Sequence, residues 1–148
     1  MKANLTALLL GGVLPAICFG LSGVFQKTAN KEGIGTGPYL MIVGVTVVAV
    51  GALVTLVQRD LSVNPTSAAH TALCAALWAG GMMGIAMALG RYHGQLSQLV
   101  PLYNMNTLVA VGVSLVVLSE WKTVQPLMIV AASLLTIGGG VLAAFSSR

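Results

Sequence analysis

Five stretches of about 20 residues, 5–25, 39–57, 68–89, 96–118 and 126–145, contain no Asp, Glu, Lys or Arg. About 20 apolar residues in an α-helix cross the roughly 30 Å hydrocarbon core of a bilayer. In a chain of 148 residues, five such stretches leave room only for short links. Charged residues make up 7% of the chain and mean hydropathy is +0.94. A soluble domain carries about 25% charged residues to cover its surface, so lipid is the natural solvent here. The expected fold is an all-α integral membrane protein with five spans in one domain, 1–148.

The links hold what the spans lack. "QKTANKEGIGTGP" carries charges, glycines and a proline; "GRYHGQ" and "SEWKTVQ" are tight connections. "QRDLSVNPTS" reads as a turn and then a helix start, with Thr66 or Ser67 as the expected N-cap. The first span exceeds the roughly 7–15 apolar residues of a signal-peptide core, and no A-x-A-like site follows it. It is therefore read as a span.

Net charge is +4, spread along the chain without a cluster that reads as a nucleic-acid site. An odd number of spans places Lys2, Arg59 and Lys122 on one side and Lys27, Lys31, Arg91 and Arg148 on the other. Three against four gives the positive-inside rule almost nothing to act on. Two readings stay open: insertion in both orientations with head-to-tail pairing, or a single orientation fixed by Lys27 and Lys31.

Within the spans, Pro15 removes a helix hydrogen bond and crowds the carbonyl of Gly11. Gly11 and Pro15 are the expected hinge, either a static kink or a point of rocking. In the fourth span, a wheel at about 100° per residue brings Ser97, Pro101 and Asn104 together, and Tyr103, Thr107 and Ser114 continue the arc. Polar atoms in lipid are costly, so this arc faces protein or a wet cavity. Gln98 and Asn106 point elsewhere. Trp78, Met82 and Met83 of the third span, with Tyr92 beyond it, are adaptable apolar groups suited to an amphiphilic solute, or to plain packing. The candidate cavity is lined by Ser97, Pro101, Tyr103, Asn104, Thr107, Trp78 and Met82. Gly80 and Gly84, like Gly138 to Gly140, are small residues that let helices approach closely.

Other chemistry is sparse. Glu32, Asp60 and Glu120 all lie in loops or at span ends, so no span holds the embedded ionisable group that proton-coupled pumps usually need. No nucleophile–base set converges at one level, so no enzyme is expected. Cys18 and Cys74 lie in apolar runs without ligand-spaced partners and read as small buried hydrophobes. No metal or cofactor is expected.

The stretch "LSQLVPLYNMNTLVAVGVSLVVLSEWKTVQPLMIVAASLLTIGGGVLAA" resembles the second half of an EamA domain: a proline in the fourth helix, an acidic end, a short basic link and a Gly-rich final helix. Those positions are Pro101, Ser119-Glu120, Lys122 and Gly138 to Gly140. "GVFQKTA" and "GPYLMIVG" resemble the end of the first helix and the entry to the second. The resemblance implies the drug/metabolite transporter superfamily, whose familiar members pair two five-helix repeats in opposite orientation. This chain looks like a single repeat. It departs from the pattern at Ser119, where glycine is usual, and lacks the embedded glutamate of the four-helix multidrug pumps. By this likeness Glu120 and Lys122 are architectural, at the turn into the fifth helix, with Trp121 an interfacial anchor.

The resemblance implies a multi-pass protein of a prokaryotic inner membrane that carries small organic metabolites or drugs by alternating access. A lone repeat regains the inverted symmetry only by pairing with another copy, so a homodimer, with the lipid bilayer and a small-molecule solute as partners, is the expected working unit. The alternative is a non-transporting membrane subunit that assembles with a partner protein.

Overall fold

A computed structural model describes residues 5–122 and 124–145. All regular structure among them is helical. Five helices are long and apolar enough to cross a membrane: α1 (Leu5–Lys31), α2 (Thr36–Gln58), α3 (Pro65–Gly90), α4 (Leu96–Val117) and α5 (Pro126–Ala144). They fall into two compact units, 1–93 and 94–148.

In the first unit, α1 and α2 each pack on α3. α1 runs six residues past the expected end at Phe25. Gln26 to Lys31 continue the helix because Gln, Lys and Ala are good helix formers, and Lys31 sits in the last turn, where a cation favours the helix dipole. The helix then stops at Gly33, whose φ of +89° suits glycine. The Gly33 amide donates to the Asn30 carbonyl and the Ile34 amide to the Ala29 carbonyl, at 3.1 and 3.3 Å. This pair of bonds is the Schellman termination.

The start of α3 corrects the expected cap. Asn64, not Thr66 or Ser67, is the N-cap: its side chain accepts from the Ser67 amide at 2.8 Å, and the Asn64 amide donates back to the Ser67 hydroxyl at 3.3 Å. Pro65 occupies the first turn, where its missing N–H costs nothing. Such a cap contributes about 1 kcal/mol. Just upstream, Asp60 Oδ1 accepts from the Ser62 hydroxyl at 2.5 Å and the Ser62 amide at 2.9 Å. These two bonds, the hydroxyl first, hold the Asp60 carboxyl below the usual carboxylate range.

In the second unit, α4 and α5 form an antiparallel pair, joined by a single 3₁₀ turn at Glu120–Lys122. The Lys122 ammonium lies 5.5 Å from the centroid of the Trp121 ring, within reach of a cation–π attraction. The Glu120 side chain lies outside the described residues, as do Lys2 and Arg148.

Packing within the chain is thin. Among the described residues, Ala86 and Leu89 of α3 are the buried hydrophobic side chains, and α2 has no buried residue. Cys18 and Cys74 are exposed, which corrects their reading as buried hydrophobes: both sit on helix faces turned away from neighbouring helices. Apolar surface on this scale needs lipid or another protein against it.

Candidate functional site

The two proline-bearing helices are both irregular. In α1 the five residues Leu9–Val13 form a π turn, and the Leu14 amide donates to the Leu9 carbonyl five residues back. A π turn holds one extra residue in the helix. It leaves Pro15 in the first turn of the α-helical segment that follows, Leu14–Lys31, where a missing N–H is tolerated. Gly11 and Gly12 lie inside the turn, and a Cβ on either would meet nothing within 4 Å. Of the expected hinge residues, Gly11 thus lies inside this irregularity and Pro15 two residues beyond its end.

α4 is not the continuous helix on which the polar arc was drawn. It consists of Leu96–Tyr103 and Asn106–Val117, with Asn104 and Met105 between them. Three amides there bond three residues back: Met105 to Leu102, Thr107 to Asn104 and Leu108 to Met105, each at 3.0 Å. This is 3₁₀ geometry, which advances about 120° per residue. A wheel at a constant 100° therefore loses register at Asn104. Tyr103 and Thr107 are half-buried, whereas Asn104 and Asn106 are both exposed near the middle of the helix. Asn106, two residues after Asn104, still points in a different direction from it, and both side chains are exposed.

The tightening has a structural partner. A Cβ built on Gly140 of α5 would lie 2.5 Å from the Pro101 carbonyl oxygen. Only glycine lets the two backbones approach so closely. With its carbonyl against α5, Pro101 is not the acceptor for the Met105 amide, which turns to Leu102 instead. Pro101 also has no N–H to give to the Ser97 carbonyl. The break thus combines a freed carbonyl with two side-chain amides at mid-helix. Ser97 is exposed one turn before Pro101, and Ser114 is half-buried with its hydroxyl on the Val111 carbonyl at 3.2 Å.

The remaining candidates lie in the first unit. Trp78 is exposed and Met82 half-buried on α3. That unit also holds a polar pair, Gln26 and Asn30, outside the expected cavity residues. Gln26 is 5% exposed, and its Nε2 has no hydrogen-bond partner among the described residues. Asn30, one turn on, donates from Nδ2 to the Gln26 carbonyl at 2.8 Å. The Asn30 Oδ1 lies 2.7 Å from where a Cβ on Gly90 of α3 would be. Its signal in the sequence is the spacing of Gly23, Gln26 and Asn30, which fall on one helical face, hidden by the link-like composition of 26–31.

Chemically, the α4 break offers hydrogen-bond donors and acceptors without fixed charge. No protein-family model matches the chain, and no curated protein or solved structure matches it either.

Proposed function

We propose that this chain is a membrane carrier for small organic solutes, working by alternating access as an antiparallel homodimer. The observation that carries the proposal is the mid-helix break of α4, where Asn104 and Asn106 expose their amides beside Pro101. An uncovered amide in hydrocarbon costs several kcal/mol, so these groups need water, solute or protein against them. Broken helices at mid-depth are where carriers hold their cargo. The resemblance to a single EamA repeat supports the same reading, and the even spread of loop charge permits both insertions. The thin packing of the single chain supports assembly with a second copy.

The test is labelling of Asn104→Cys and Thr107→Cys by a water-soluble thiol reagent, in a background with Cys18→Ala and Cys74→Ala. The carrier reading expects labelling that a transported solute slows. Inert sites would favour the non-transporting subunit, which shares the need for a covering partner but not the need for a wet one. Flux into proteoliposomes against a metabolite library would then name the solute. Reporter fusions after residue 145 test the assembly: signal on both sides of the membrane is expected, and a single orientation would rule out the antiparallel dimer.

A further inference from the structure

Gln26 poses a question that the α4 break does not. Its side chain is buried, and Nε2 has no hydrogen-bond partner among the described residues. Buried polar groups are almost always paired, and an unpaired one carries the full cost of its lost hydration. Gly23, one turn back on the same helix, is also buried, as are Ala86 and Leu89 on α3, the helix on which α1 packs, and Asn30 is seated on Gly90 one turn further on. Asn30 spends Nδ2 on the Gln26 backbone carbonyl. Gln26 lies near the last turn of α1, close to Lys27, Lys31 and the loop, where water is near if the helices part. A second, independent irregularity sits upstream on the same helix: the π turn at Leu9–Val13, with no neighbouring atom within 4 Å of a Cβ on Gly11 or Gly12.

We infer that the C-terminal half of α1 is a gate, hinged at the π turn and latched against α3 by Gln26 and Asn30, with the latch spring-loaded by the orphaned Gln26 amide. With the latch closed, burial of Gly23, Ala86 and Leu89 favours closure while the unpaired donor opposes it. Swinging the end of α1 away from α3 lets Nε2 reach water and removes that opposition. The two states are thereby kept close in free energy, which a two-state element requires if solute is to shift its population. The inference rests on the carrier reading for its purpose, but not for its geometry.

The test measures spin-label distances between Thr28→Cys and Tyr92→Cys, both exposed sites, in lipid nanodiscs with Cys18→Ala and Cys74→Ala. The wild-type background is expected to give a short and a long population. Gln26→Leu removes the orphaned donor and should shift the ratio about tenfold toward the short one, the size of one unpaired amide. Gly90→Ala places a methyl against Asn30 and should shift it the other way. One short population in the wild-type background, or both variants moving in the same direction, would overturn the gate. Solute flux is read separately. Opposed distance shifts without any detectable flux would keep the gate and sink the carrier, whereas flux with unchanged distances would keep the carrier and sink the gate.

Discussion

α1 and α4 each carry an internal proline and resolve it in opposite ways. α1 widens ahead of Pro15 into a π turn; α4 tightens after Pro101 into 3₁₀ geometry. The difference lies in what surrounds each proline. Around the α1 turn a Cβ on Gly11 or Gly12 meets open space, so the backbone is free to take in an extra residue. Pro101 is pressed on Gly140, and its carbonyl is held against α5. There the chain adjusts on the far side of the proline, by shortening the hydrogen-bonding step. A proline therefore marks where a helix is irregular, and the neighbouring helix decides in which sense.

The largest expected effect removes the neighbour's permission. Gly140→Leu would drive a side chain into the Pro101 backbone, which cannot rotate away. The expected cost is about 3 kcal/mol or more, read as loss of the folded 94–148 unit in a denaturant titration from detergent. Gly138→Ala and Gly139→Ala meet nothing within 4 Å and should leave the midpoint unchanged. If Gly140→Leu were equally silent, the contact would not be what tightens α4.

Next in size is Asn104→Leu, which fills the break with an apolar side chain and leaves the backbone alone. Solute flux should fall about tenfold or more, equivalent to the loss of one hydrogen bond to a solute, while expression and melting stay close to wild type. Normal flux would make the α4 break a packing feature and equate it with the α1 turn. Flux should also persist without any carboxylate inside a span, since none of the five carries one.

The prolines themselves come third. Pro15→Ala returns an amide that the π turn had already made dispensable, so stability should move by less than about 1 kcal/mol. The helix upstream should still rotate if the turn closes into α geometry, which cysteine accessibility at Leu8 and Leu9 would detect. Pro101→Ala restores a bond to the Ser97 carbonyl in the interior of a helical segment and should stabilise by about 1 kcal/mol, while the Gly140 contact keeps the 3₁₀ turn. Equal responses would mean that context does not separate the two.

Much of this frame was legible in the sequence and some could not be. The five apolar stretches gave the five helices because a charge-free run of that length has one stable solution in lipid. Pro15 and Pro101 marked the irregular places. Their sense was hidden, because it depends on Gly140, 39 positions from Pro101 in the chain. The wheel failed at Asn104 for the same reason: a constant angle assumes a constant hydrogen-bond step. Asn64 was a readable cap, with Pro65 after it and Ser67 three residues on, passed over in favour of hydroxyls closer to the apolar run. Gln26 was not readable as buried, since a polar residue beside Lys27 looks like a loop until α3 is known to lie against it.

The smallest expected effect concerns how the same two helices end. Each stops on a residue in the left-handed region just past its C-cap: Gly33 after α1, at φ +89°, and Ser119 after α4, at φ +55°. Glycine adopts such values freely, whereas an L side chain there costs about 1–2 kcal/mol, offset in part by the greater entropy that glycine loses on folding. Ser119→Gly should therefore stabilise by about 0.5–1 kcal/mol, visible as a higher denaturant midpoint. Gly33→Ser should destabilise by somewhat more, because +89° lies further from the region that side chains tolerate. The Ser119 hydroxyl is exposed, so its loss removes no buried bond. Fall of the midpoint on Ser119→Gly would mean that the hydroxyl holds the turn into α5, and that α4 ends by a side-chain device where α1 ends by backbone freedom alone.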